Sequence, residues 1–351
     1  MRRFAAYSRA LALGVTVLHA GHALLSPALA QIAPACAGMR KINVGVAVAP
    51  PNVVHTAPYI AKAMGFFAKR CIEINIVQFD GGVAGAVVTA IAQGTAIASL
   101  SPAPIAQGIK ARQIWQMAPR PPQSVLVTAD IKTAADLKGK RLSAAGGVGG
   151  FNWLMSREAL KKGGLGIGDA TMVSQGTAGR LPGFLVGQID SVVAHPEDVF
   201  LALQKKPGAH VLYALTDLVP NFAFNSYGAS TDWIAKDRPL LRDTIAAMIE
   251  ANRVMYAGGD RDKLIPVIME ATAKPRDAVE FALDFLTKGC IWSVNEGFDR
   301  TRTEWSMQND VDNGDVPADK KLGFDQIVEL SLAKEAVEAA GGSKTFGTCK
   351  L

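Results

Sequence analysis

The residues best suited to hold a small molecule fall in three short stretches. The first is Gly146-Gly147-Val148-Gly149-Gly150, set between a strand expected at 141–144 and a helix expected at 151–162 that Gly163-Gly164 closes. A glycine loop at a strand-to-helix junction turns backbone N–H groups and the positive end of the helix dipole toward one point, which suits an anion. Gly149 and Gly150 then stand in the loop, with Phe151 and Asn152 opening the helix. A dinucleotide fingerprint is not met, because the third glycine of a GxGxxG pattern begun at Gly147 falls on Asn152. The second stretch is Gly176-Thr177-Ala178-Gly179-Arg180, where Thr177 and Arg180 sit at another helix entrance and the guanidinium can fork onto a carboxylate or sulfonate. The third is His195, placed between a strand exit and Pro196; its ring can donate to an anion and, if protonated, attract it.

Enzymatic patterns are missing. The chain has no GxSxG elbow, no HExxH, no P-loop and no CxxC, and its five histidines are scattered. No pair of cysteines has the spacing of a zinc site. The expectation is a binding protein with no catalytic residue, no metal and no cofactor.

The elements that must position these residues read as alternating strands and helices. An expected strand at 42–47 is followed by a helix with Thr56 as its cap and Pro58 in its first turn, then Gly65-Phe66-Phe67 and a second strand at 72–77. Residues 95–100 form a third strand, followed by Ser101-Pro102-Ala103-Pro104 and a helix. A proline-rich break at 117–122 marks a first domain crossing and Pro220-Asn221 a return. Between them further strands are expected at 171–174, 189–194 and 210–213. From Thr231 the pattern is helical, with starts at Thr231, Pro239, Asp260, Pro275, Asn295 and Phe324, the last running to Ala340. A βα series of this kind builds an α/β fold whose strand-end loops hold ligands, and 351 residues are more than one core serves.

The amino terminus reads as an export leader. Arg2, Arg3 and Arg9 precede an apolar stretch at 10–25, and Ala28-Leu29-Ala30 supplies the small residues of a cleavage site after Ala30. His19, Gly21 and His22 interrupt the stretch, which is short for a span. Cys36 does not fit a lipoprotein site, since no leucine stands among Ala33-Pro34-Ala35. Losing residues 1–30 leaves 34 basic and 31 acidic side chains, a fall from +6 to +3. So slight a balance does not point to nucleic acid.

Over nearly its whole mature length the chain resembles the periplasmic substrate-binding proteins of ABC importers for nitrate, sulfonates and taurine, in the superfamily of thiamine-pyrimidine-precursor binding proteins. The resemblance rests on Ala57-Pro58-Tyr59-Ile60-Ala61 with Gly65-Phe66-Phe67, on residues 135–140 (ADLKGK), on Gly187-Gln188-Ile189-Asp190-Ser191, and on residues 230–237 leading into Pro239. It implies a type II periplasmic-binding fold: two lobes, a cleft between them and two crossover strands. The lobes would be 31–122 with 221–351, and 123–220. It also implies a monomeric receptor in the periplasm that hands a small anionic organic solute to an ABC permease; a sensory receptor, or a receptor for a thiamine pyrimidine precursor, is the alternative. Gly82 and Ser101 become candidate contacts because they occupy equivalent strand exits. Ala194-His195 stands where relatives carry an aromatic and an acid. The loop Pro50-Pro51-Asn52-Val53-Val54-His55 is more apolar than a nitrate site needs, so Asn52, Val53 and Phe151 are expected around an organic portion, with His55 a further candidate contact.

Four cysteines allow three pairings. In the implied fold the strands that follow Cys36 and Cys71 are parallel neighbours, which pairs those two at the edge away from the ligand. Cys290 and Cys349 would then pin the tail.

Overall fold

The computed structural model describes residues 36–79, 89–92, 94–95, 98–258 and 260–351. The expected leader and Gly82 lie outside the described residues.

Strand β1 (Arg40–Val46) is parallel to β2 (Ile72–Gln78), with Arg40 opposite Ile72 and Val46 opposite Gln78. Helix α1 (Ala57–Ala63) joins them, with Pro58 in its first turn, where its missing N–H costs nothing. Thr56 does not cap α1 as expected. A 3-10 turn at Val53–His55 runs straight into the helix, so the Thr56 hydroxyl donates back to Val53 O at 2.8 Å. Next come β3 (Ala98–Ser99), the short helix Pro102–Ala106 and β4 (Ala111–Ala118).

The second lobe is built on β5 (Ser124–Val127), β6 (Arg141–Ser143), β7 (Thr171–Val173), β8 (Ser191–Ala194) and β9 (His210–Ala214), in spatial order β7-β6-β8-β5-β9. β6 is parallel to β7 and β8, whereas β5 is antiparallel to β8 and β9. The chain returns as β10 (Asn225–Ser230), which lies between β3 and β4 and is antiparallel to both. With β1 beside β3, the first lobe repeats the arrangement of the second. In each lobe the antiparallel strand is the one that arrives by crossover. The fold is therefore α/β and two-lobed, with two crossover strands.

Three further sequence expectations need correction. β4 was not foreseen, and the two crossover strands that the resemblance implied, β5 and β10, had been given no bounds. β4 is buried on both faces and carries Gln113 and Gln116 inward, so it shows no alternation. Those amides are held locally: Gln113 Nε2 donates to Leu100 O at 2.8 Å, while its Oε1 stays without a partner, and Gln116 Oε1 accepts from Ser226 Oγ at 2.9 Å. The helix expected from Asn295 begins instead at Arg300, capped by Asp299, because Asn295 is engaged with the carboxy-terminal tail. The last helix is split into Phe324–Ile327 and Leu330–Ala339, since Glu329 N donates to Gln113 O at 2.8 Å and holds the break extended beside β4.

The first-lobe core gathers Ile60, Trp115 and Trp292 around the long helix Arg238–Tyr256; the second packs Leu142, Met155, Leu160 and Val193. Disulfides join Cys36 to Cys71 and Cys290 to Cys349, with Cα–Cα distances of 5.6 and 5.2 Å. The first lies at the start of β1 and β2, where Arg40 N donates to Cys71 O, at the opposite end of β1 from Ala47 and Val48. No helix of the described residues is long and apolar enough to cross a membrane.

Candidate functional site

The loops that leave the strands of both lobes enclose a cavity of about 140 Å³. From the first lobe come Ala47 and Val48 past β1, His55 in the 3-10 turn, and Ser101 and Pro104 past β3. From the second come Gly149, Phe151, Asn152, Leu154, Thr177, Arg180 and His195. The crossovers supply Gln123, Phe222, Phe224 and Asn225. The volume matches that of a cavity that takes up benzene, about 150 Å³.

The glycine loop delivers the start of helix α2 (Phe151–Lys162) to this cavity. Gly146, Gly147 and Gly149 all have positive φ. At Gly150, the N-cap, a Cβ would stand 3.1 Å from the Gly147 carbonyl oxygen, so a side chain there would push the turn open by a few tenths of an ångström. The first N–H groups of α2 have no partner within the helix, and Phe151 and Asn152 line the cavity beside them.

Arg180 lines the cavity but is already engaged. Its Nη2 donates to Asn52 Oδ1 at 2.9 Å and to Asp198 Oδ2 at 3.2 Å, in a setting where both charged side chains are buried. Asp198 Oδ1 also pairs with Lys274 Nζ. Behind them Glu197 Oε1 accepts from Asn52 Nδ2 at 2.8 Å and from Val53 N at 3.1 Å. Burial and the neighbouring Asp198 push the Glu197 carboxyl up. One arm of the fork expected for Arg180, Nη2, is thus spent within the protein, and its Nε is buried without a partner.

The histidines are neutral. Burial, then the Arg180 charge, lowers His55 to about 3, and the same causes hold His195 well below its ordinary value. The electrostatic attraction expected of a protonated His195 is therefore corrected to plain hydrogen-bond donation. The Gln123 amide Nε2 donates to His195 Nε2 at 3.1 Å, which leaves the ring proton on Nδ1. The positive field that lowers both rings also disfavours a cation. Among the described residues no three histidines, cysteines or acids stand together as metal ligands.

Five rings form one wall. His55 and His195 meet edge to face at 5.5 Å, Phe224 lies 6.2 and 6.4 Å from them, and Phe151 lies 5.2 Å from Phe224 and 5.8 Å from Phe222. Residues of the cavity lining also hold buried polar atoms without a protein partner: His55 Nδ1, Gln123 Oε1, Asn152 Oδ1, Arg180 Nε and His195 Nδ1. A buried polar atom left unpaired costs about 1–3 kcal/mol, so such a cluster marks where a solute belongs.

Of the residues singled out from the sequence, His55, Ser101, Gly149, Phe151, Asn152, Thr177, Arg180 and His195 meet on the cavity. Asn52 stands behind it, holding Arg180 and Glu197, and Gly150 shapes the loop. Gln123, Phe222, Phe224 and Asn225 were missed. Their signal was the pair of proline breaks, Pro121-Pro122 and Pro220, because the crossovers that follow them form the floor of the cleft.

Comparison with known proteins adds the family. Over 85% of its length the chain superposes on all but 1% of the desulfurization enzyme DszB in complex with biphenyl-2-sulfinic acid, at 15% identity and a TM-score of 0.59. It superposes on the periplasmic aliphatic sulphonate binding protein SsuA of Escherichia coli at 21% identity, covering 82% of this chain and 91% of that one, with a TM-score of 0.64. The periplasmic nitrate-binding protein NrtA of Synechocystis PCC 6803 gives 16% identity, coverages of 86% and 89%, and a TM-score of 0.66. These likenesses establish the fold, which binding proteins and an enzyme share. A putative thiamine biosynthesis protein of Haemophilus influenzae is 28% identical over 165 residues, 45% of this chain and 52% of that protein. The chain thus spans about half the length of that curated relative. A family profile described as NMT1/THI5 like matches residues 52–260, and the chain belongs to the NMT1/THI5-like family.

Proposed function

We propose that the protein is a solute receptor. It binds a small anionic organic molecule between its lobes and delivers it to an ABC permease. The observation that carries this is one cavity that both lobes and both crossovers line, whose lining residues His55, Gln123, Asn152, Arg180 and His195 each hold a polar atom without a protein partner. The start of α2 and the Arg180 and His195 N–H groups supply donors for an anion. His55, Ser101, Gly149, Phe151, Asn152, Thr177, Arg180 and His195 are the proposed contacts; Asn52 and Gly150 act from behind, and Gly82 is a further contact. The lobes are taken as 31–122 with 221–351, and 123–220. The protein acts as a monomer in the periplasm after cleavage following Ala30, with no nucleic acid, metal or cofactor and no reaction of its own.

A second reading has a specific observation behind it. Neutral histidines and a ring-lined wall also suit an uncharged heteroaromatic such as a thiamine pyrimidine precursor. A sensory receptor would use the same cleft. Thermal unfolding against taurine, alkyl and aromatic sulfonates, carboxylates, nitrate and pyrimidines decides among solutes. A ligand at a hundredfold over its Kd stabilises by about 2.7 kcal/mol. Stabilisation by an anion supports the first reading, and stabilisation by pyrimidines alone replaces it.

A further inference from the structure

We infer that the solute is a single aromatic ring bearing one monoanionic group and one hydrogen-bond donor, of the hydroxybenzoate, aminobenzoate or aminobenzenesulfonate kind. This deepens the receptor reading above and rests on it.

Size comes first. A cavity of about 140 Å³ matches one six-membered ring, with its substituents at the open side.

The wall comes second. The rings of Phe222, Phe151, Phe224, His195 and His55 run in a continuous series, each 5.2–6.4 Å from the next. An aromatic solute gains edge and face contacts on such a wall beyond what apolar burial alone provides to an alkyl chain.

Charge comes third. Both histidines are neutral and Asp198 already balances Arg180, so the cavity itself offers neutral N–H donors and little net charge, with Lys274 and the Glu197 carboxyl, which burial pushes up, standing behind it. That matches a carboxylate or sulfonate. A phosphate dianion would bring a second charge with nothing to meet it.

The donor requirement comes last. Of the unpartnered atoms, Arg180 Nε and His195 Nδ1 donate, Gln123 Oε1 and Asn152 Oδ1 accept, and His55 Nδ1 does either according to its tautomer. A simple aryl anion satisfies the donors and leaves both carbonyl oxygens buried and unpaired. A ring amino group, with two N–H bonds, completes the set, and a ring hydroxyl meets one of the two oxygens.

Titration calorimetry on the full mature chain tests this with the ring isomers of hydroxybenzoate, aminobenzoate and aminobenzenesulfonate. The comparison compounds are benzoate, hydroxycyclohexanecarboxylate, hydroxybenzamide, hydroxyphenyl phosphate, taurine, ethanesulfonate and an aminopyrimidine. At least one isomer should bind, with about tenfold loss on removing the donor and about tenfold on saturating the ring. The neutral amide and the phosphate should bind at least tenfold more weakly still. Phe224→Leu should narrow the preference for the aromatic ring while leaving the melting temperature within a few degrees. Tighter binding of taurine or ethanesulfonate overturns the inference and leaves the anion receptor standing. Binding of the aminopyrimidine alone overturns both. Equal affinity for benzoate and every substituted isomer removes the donor requirement and with it the inference. A panel that gives no heat at millimolar concentration overturns it too, and the receptor reading is then judged by the broader thermal screen.

Discussion

Arg180 Nη2 donates to Asn52 Oδ1 at 2.9 Å, tying a helix entrance of one lobe to the loop that leaves β1 in the other. The guanidinium that looks like a ligand clamp in the sequence is first of all a bolt between lobes. Arg180→Ala leaves Asp198 buried with Lys274 alone, and should lower stability by about 3 kcal/mol in urea unfolding. A large loss of solute affinity with unchanged stability would mean that the clamp is its main role after all.

A second bolt lies elsewhere on the cleft. Arg157 in α2 pairs with Asp315 of the first lobe at 2.9 and 3.3 Å, and Lys161 beside it reaches Asn313. Two such links made by the chain's own side chains hold the lobes together without solute. Small-angle scattering of the solute-free protein should therefore show a compact particle, and the Asn52→Ala, Asp315→Asn double variant a larger radius of gyration. Identical profiles would mean that these pairs do not control opening.

The buried histidines make stability depend on acid. Below pH 6.5 the unfolded chain takes up protons at positions 55 and 195 that the folded protein refuses down to about 3 at His55, so stability is lost as pH falls through that window. Asp310 works in the other direction. Burial pushes its carboxyl up to about 7, so the folded protein holds its proton longer than the unfolded chain, and stability falls as pH rises from about 4 to 7. Melting profiles should accordingly lose acid sensitivity in His55→Gln, while Asp310→Asn should gain more at pH 8 than at pH 4. Solute affinity should stay flat from pH 6 to 8, because neither histidine changes charge there.

Each disulfide should contribute roughly 4 kcal/mol by loop entropy, with sequence separations of 35 and 59 residues. Cys290→Ser should release the tail first. Asn295 accepts a hydrogen bond from Lys344 N and donates to Lys350 O, and these bonds should exchange faster with deuterium while β1 stays protected. Equal exchange in the two proteins would show the tail held by its hydrogen bonds alone.

Much of the scaffold was legible, because local chemistry decided it. Helix α2 runs between the residues that the glycines on either side select, and β1 and β2 follow their β-branched runs. The strands that the sequence left unplaced are those whose partners come from far along the chain. β10, made of Asn225-Ser226-Tyr227-Gly228-Ala229-Ser230, has little strand propensity and exists because β3 and β4 flank it. The site divides in the same way. Residue types announced the glycine loop, Arg180 and His195. Only the fold could show that Asp198, three residues past His195, takes the Arg180 charge, or that Phe222 and Phe224 return beneath Phe151.

Ser101 lines the cavity yet is exposed, so a large side chain there can fill the cleft without disturbing the core. Titration calorimetry of the wild type and of Ser101→Trp, with the solute that most raises the melting temperature, tests the central claim most directly. The account predicts that the variant melts within a few degrees of the wild type and binds at least a hundredfold more weakly. Equal affinity in the two proteins would place the solute elsewhere and contradict it.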